Sequence, residues 1–308
     1  RDRAGVRDEF VSWDMPIAFG LMPLVYQNGI WVDDAFIGGA FTIPSRNSRT
    51  FDITNMDFTF FVGTDKVSTP AILDRAGKLD EAGANLYGVT TFIEALEGYI
   101  EAGYGRIDDT RSASNFSYNN ATLAFTKRYG GLVSNSVRGI VNWGQNPDRS
   151  QRQTADGYVL LLENSLITHL PSTLVPYFNF FVGKDRPQSL ARDAAAGGLL
   201  KNTGLSFETD GLTGFPKLDD TANDTYGGAI GVQYLFSLNQ QVVLELATVQ
   251  MLTQNRVGRA AQGPQYAISG RYQLPLTNAW IFRADVIAAN LDKAPDVYGG
   301  RLELRRKF

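Results

Sequence analysis

The sequence predicts an all-β protein: one closed antiparallel transmembrane β-barrel of about fourteen strands, or twelve or sixteen if one hairpin is read differently. Three observations lead there. Apolar residues recur at every second position and not at the 3.6-residue helical spacing. The connections between alternating segments are short and long in turn. The chain is 308 residues, 44% hydrophobic and 12% aromatic, yet its mean hydropathy is −0.17 and no run of 18 apolar residues occurs. A transmembrane helix is therefore excluded, whereas a barrel keeps its apolar residues at alternate positions.

The first segment, 10–23, sets Val11, Trp13, Met15, Ile17, Phe19 and Leu21 against Ser12, Asp14, Pro16, Ala18 and Gly20. Further segments of roughly the ten residues a tilted membrane strand needs follow at 35–44, 56–64, 86–95, 99–107, 115–127, 132–144, 156–167 and 173–183. The clearest is 225–236, where Tyr226, Gly228, Ile230, Val232, Tyr234 and Phe236 alternate with small and polar residues. After 241–253 comes 264–274, with Tyr266, Ile268, Gly270, Tyr272 and Leu274 on one parity. Segment 279–289 places Trp280, Phe282, Ala284, Val286 and Ala288 opposite Arg283 and Asp285, and 296–308 ends the chain. Leu190–Leu200 is the one stretch that reads as a short helix.

Tight connections at Leu96–Gly98, Arg128–Gly131, Thr168–Ser172, Ser237–Gln240 and Pro275–Asn278 alternate with longer ones. Two are very long, 65–85 and 184–224, and the second has the length to fold inward and narrow a channel. Short turns at one end and long loops at the other are the habit of outer-membrane barrels. Both termini then lie on the periplasmic side. Ser45–Asn55 breaks the rule, with about eleven residues where a tight turn is expected. No internal boundary divides residues 1–308, which form a single barrel domain. Phe58–Asp65 and Tyr177–Asp185 echo one another, each before a long loop.

Composition narrows the chemistry. The absence of Cys excludes disulfides, thiol catalysis and Cys-ligated metals. The single His169 lies in a predicted turn, which argues against a hydrolase on the barrel wall and against a His-rich metal centre. A net charge of −3 argues against a nucleic-acid partner. Asp219, Asp220, Asn223 and Asp224 lack the spacing of a calcium loop and read as a solvated acidic loop. Gly103-Tyr104-Gly105 and Gly227-Gly228 sit inside strands, where glycine permits curvature or close approach. No cofactor or metal is expected. The chain does not open on a signal peptide, and Arg1 fits the start of a processed form.

With these features the chain resembles the outer-membrane β-barrel porins of Gram-negative bacteria, and Ile17–Pro44 is faintly similar to alginate-export-like and substrate-selective porins. The sharpest match is the C-terminus, where Gly300, Leu302, Leu304 and Phe308 keep the parity of a porin terminal strand and Arg306 interrupts it. The resemblance implies that the barrel-assembly machinery reads this strand and that the outer membrane is the location. Membrane lipid and small hydrophilic solutes are the implied partners, and a homo-oligomer such as a trimer is open.

If the apolar parity faces lipid, the other lines the lumen. Asp14, Asp57, Glu94, Glu101 and Glu163 then come from the first part of the chain, while Arg138 belongs with the basic residues of the last strands. Arg271, Arg283, Arg301 and Arg305, with Glu245, Asp285 and Glu303, come from the last strands. This wall reads either as a basic, solute-selecting face opposite a more acidic one, or as salt bridges that hold the barrel round. Two functions remain: a passive channel, or a barrel that anchors a surface or export partner.

Overall fold

The computed structural model describes residues 16–27, 29–48, 52–67, 84–109, 116–146, 155–166, 171–192, 218, 221–237, 239–253 and 262–306. Fifteen strands are formed among them: β1 (Ile17–Tyr26), β2 (Val32–Ser48), β3 (Ile53–Asp65), β4 (Asn85–Ala95), β5 (Gly98–Asp109), β6 (Phe116–Tyr129), β7 (Val133–Asn146) and β8 (Asp156–Leu166). They continue with β9 (Thr173–Arg186), the two-residue β10 (Ala191–Arg192), β11 (Thr225–Ser237), β12 (Gln240–Met251), β13 (Gln265–Pro275), β14 (Trp280–Leu291) and β15 (Val297–Arg306). Apart from β10, each pairs antiparallel with its sequence neighbours in one sheet running β1 to β9 and then β11 to β15.

Three expectations need correction. The ring is not completed among the described residues: no ladder joins β15 to β1, and the sheet is open there. The expected first strand, 10–23, is described only from Ile17, and it runs on to Tyr26. The expected helix at Leu190–Leu200 is not formed where the structure describes it; Ala191–Arg192 is strand β10, laid parallel on Val32 and Asp33. Backbone pairing to β2 outweighs the weak helical preference of a short apolar stretch.

The turn at Ser45–Asn55 is tighter than expected, because β2 reaches Ser48 and β3 starts at Ile53. Irregularities in the ladder between Ile43 and Arg46, Arg46 and Ser48, and Ile53 and Asn55 break the alternation there. Bulges shift parity, so a period-two reading stops short of the strand ends. The other tight turns follow their chemistry. Gly130 and Gly131 both take positive φ, and Leu132 N–H donates to Tyr129 O at 3.0 Å, closing the turn of a three-residue hairpin loop between the paired Tyr129 and Val133.

Burial follows the parity. On β9, Phe178 and Phe180 point outward, while Val175 and Phe181 are buried on the inner face. The outward row continues across Ile230, Leu246 and Ile268. Val232 shares this outward parity, paired with Leu244 and Pro176. If this face meets lipid with Val232 near the midplane, Val232→Arg is expected to cost about 2–4 kcal/mol of folding stability in vesicles. A cost near zero in urea unfolding would put this residue on the other face. Trp13, expected on the same surface, lies outside the described residues. Arg306, the break in the C-terminal pattern, is outward with its guanidinium 5.9 Å from the Trp280 ring. At the last turn of a strand a cation over an indole suits the membrane–water interface.

Candidate functional site

The inner face divides into two levels. At the end bearing the long connections, apolar residues fill the space: Trp31, Phe36, Phe61, Leu86, Ile107 and Tyr118 are all fully buried. Phe61 sits at the centre, edge-on to Trp31 at 6.2 Å and 6.3 Å from the Phe36 ring.

The segment 187–192 enters this cluster from the β9–β11 connection and reaches β2, seven strands away along the sheet. Gln188, Ser189, Leu190 and Ala191 are buried. Its backbone groups have partners from the wall, as buried peptide groups must. Asn142 Oδ1 accepts from Gln188 N–H at 2.8 Å, and Asn120 Nδ2 donates to Gln188 O at 2.8 Å. Tyr118 Oη donates to Leu190 O at 3.0 Å, and Leu190 N–H donates to Trp31 O at 2.9 Å. Trp31 Nε1 in turn donates to Asn120 Oδ1 at 2.7 Å. The result is a strap hydrogen-bonded to β6, β7 and the β1–β2 connection. Of the long connection, residues 187–192 thus lie against the inner face, and 193–217 lie outside the described residues.

Two strand glycines explain how the strap fits. A Cβ on Gly103 would lie 2.4 Å from the Trp31 ring, and one on Gly105 2.2 Å from a Leu190 methyl. Glycine here admits a bulky neighbour against the wall. At the base of the long connection, Asp224 is fully buried, accepting from Lys184 Nζ at 3.1 Å and from Asp185 N–H at 2.8 Å. The reading of a solvated acidic loop is thereby corrected for Asp224 and for the buried Asn223. Asp219, Asp220 and His169 lie outside the described residues, and no cluster of metal-ligating side chains occurs among the described ones.

The second level is polar. Arg271 and Arg283 converge on Asp285: Arg271 Nε is 2.7 Å from Oδ1 and Arg283 Nε is 3.1 Å from Oδ2. All three side chains are at most 9% exposed. One strand further, Arg301 Nη2 lies 3.5 Å from Glu303 Oε2, and Arg305 Nε pairs with the other carboxylate oxygen. Both of these arginines keep about a third of their side chain accessible, 33% and 35%. Adjacent registers, Arg271 opposite Asp285 and Asp285 opposite Arg301, join the two groups into one row across β13, β14 and β15.

The other expected lining residues are more dispersed. Arg138 pairs with Glu163 at 3.6 Å, and Glu101 lies on β5 opposite Ala124, which in turn faces Arg138. Asp57 accepts from Phe92 N–H at 3.3 Å. Glu94 is exposed beside the β4–β5 turn. Glu245 is buried and accepts from Tyr177 Oη at 2.9 Å. That contact depends on Gly231 between them, since a Cβ there would lie 2.2 Å from the Tyr177 ring. Gly300, Leu302 and Leu304 are in β15, with Leu302 and Leu304 outward and exposed. Asp14 and Phe308 lie outside the described residues. Sequence reasoning missed Tyr177, Asn120, Asn142 and Gln188; the inner-parity glycines 103, 105 and 231 were the signal that large groups sit against them.

No family model matches the sequence, and no curated protein matches it. Solved structures do. OccK9 (OpdG) of Pseudomonas aeruginosa superposes with a TM-score of 0.54 at 12% identity, over 94% of this chain and 72% of that one. OccK5 (OpdH) of the same organism gives 0.50 at 11%, over 95% and 77%. OccAB4 of Acinetobacter baumannii gives 0.52 at 10%, over 95% and 71%. At such identities the likeness is one of fold: this chain shares the all-β antiparallel architecture of these Occ/Opd structures.

Proposed function

We propose that the protein is an outer-membrane channel for passive diffusion of small hydrophilic solutes, not an enzyme. The observation that carries this reading is the sided wall: a charged, hydrogen-bonding inner face over β12–β15 behind an outward face of exposed Leu, Ile, Val and aromatic residues. An apolar exterior around a polar interior is the arrangement a barrel needs in lipid. In that setting unpaired strand edges cannot be left in hydrocarbon, so the free edges of β1 and β15 would each need a partner in lipid. Short turns face the periplasm and long connections the outside. Labelling of cysteines placed at Asp74 and Asn202 on whole cells is expected to succeed, and labelling at Asn239 to fail; the reverse pattern refutes this orientation. The terminal strand, through Gly300, Leu302, Leu304 and Phe308, is what the assembly machinery would engage. Association into trimers would use the outward face.

Selectivity follows from which charges reach water. Arg271 and Arg283 are locked onto Asp285 and serve the wall, while Arg301 and Arg305 share one carboxylate and offer surplus positive charge to the lumen. Unscreened over a Debye length of about 8 Å, that surplus attracts anionic groups. In planar bilayers the chain should show discrete single-channel steps. Replacing Arg301 and Arg305 by Ser should move the reversal potential in a salt gradient toward cations. Steps without that movement would reassign the pair to wall structure.

The strap supports a second reading, a plugged barrel that anchors a surface or export partner. A correctly inserted protein that shows no conductance at any voltage would decide for it.

A further inference from the structure

On the outward face of β9 and β11–β15 the surface is hollowed into a groove of about 830 Å³, within the size range of ligand pockets. Its lining is almost wholly apolar. The hollow arises because the outward positions Gly228, Thr248 and Ala288 are small while aromatic side chains rise around them, among them Phe180, Tyr266 and Tyr298. Gly228 is fixed by the sheet itself: a Cβ there would stand 2.3 Å from the Asn179 carbonyl oxygen. The groove lies toward the end with the long connections, since Tyr226, Tyr266 and Tyr298 are each the second residue of β11, β13 and β15.

We infer that this groove is a binding site for an acyl chain of an outer-leaflet lipid. The inference rests on the outer-membrane reading above. Its ground is continuity: the groove opens on the same outward surface as Ile230, Leu246 and Ile268, which that reading puts in hydrocarbon. Water finds few polar partners on such a floor, and an apolar void left empty loses its dispersion contacts. A flexible hydrocarbon chain fills it without pairing any polar group. The tyrosines at the upper end set their hydroxyls at the level where a lipid's polar head would begin. The lining includes no Lys or Arg, so the groove selects the chain and not the charge of the head group.

The test uses hexa-acylated lipid A as probe. The full chain, inserted in vesicles containing it, is extracted in mild detergent and weighed by native mass spectrometry. Ala288→Trp and, separately, Thr248→Phe fill the groove. Val286→Trp adds the same bulk to an outward position that does not line it. Retention of lipid by the parent and Val286→Trp, with a drop on the order of tenfold in either filled variant that still inserts, is the expected result. Equal retention in both filled variants overturns the inference, as does an inserted parent that carries no lipid. A parent recovered as a multimer that the filled variants lose would give the groove to a second copy of the chain and also overturn it. Failure of the parent to become protease-protected in vesicles would instead overturn the membrane reading itself, so the two failures are separable.

Discussion

A chain from which residues 187–218 are removed will pass several-fold more current per open channel than the parent. The strap bridges the inner face at the level where Trp31, Phe61 and Leu190 exclude water, and it is tied by Asn120, Asn142 and Tyr118. A dry apolar section is the step of highest resistance for a hydrated ion. Its removal leaves β9 and β11 joined by a shorter link and leaves the ladder that pairs them, Thr173–Gly183 with Thr225–Leu235, intact. The double substitution of Asn120 and Asn142 by Ala should act the same way but less, because Trp31, Tyr118 and Leu190 still hold the strap. Single-channel recordings decide. An unchanged conductance would mean that solutes pass beside the strap.

Asp285→Asn is expected to be the most damaging single substitution in the lower wall, at about 3–5 kcal/mol. Both guanidiniums that converge on Asp285 are buried, so losing the carboxylate removes the charge they share and sets two positive charges close together where water screens them little. Glu303→Gln supplies the comparison. It also removes one carboxylate from between two arginines, but Arg301 and Arg305 reach water, and the cost should stay within about 1 kcal/mol. Urea unfolding of the two variants in vesicles of one composition tests the contrast. Equal costs would show that burial does not set the strength of these pairs.

How much of this was legible in the sequence follows from period and reach. Parity read from Tyr226–Ser237 or Trp280–Ala288 assigns the outward face because a strand fixes its side chains to alternate sides. It could not find Ser48 or Ile53 as strand ends, since bulges there change the parity. The inner parity followed from the same alternation, so Arg271, Arg283, Arg301 and Arg305 fall on one face of β13–β15. Their pairing was not legible, because a carboxylate two residues away on one strand and another across the ladder compete for the same cation, and only geometry chooses. The strap was hidden for a different reason. Leu190–Ala191–Arg192 carries no pattern that names β2 as its partner, and its hydrogen bonds join residues up to 159 positions apart in sequence.

That separation bears on how the protein is made. Ser189 Oγ donates to Ile30 O, bringing together groups next to β9 and β2, seven strands apart along the sheet. Hairpins such as Tyr129–Val133 form from neighbours and need little chain entropy, whereas a contact spanning so long a loop becomes favourable only when the intervening strands are already placed. The strap is therefore the last part of the inner face to settle. The ladders of the wall precede the strap, whose hydrogen bonds need β6, β7 and the β1–β2 connection already in place.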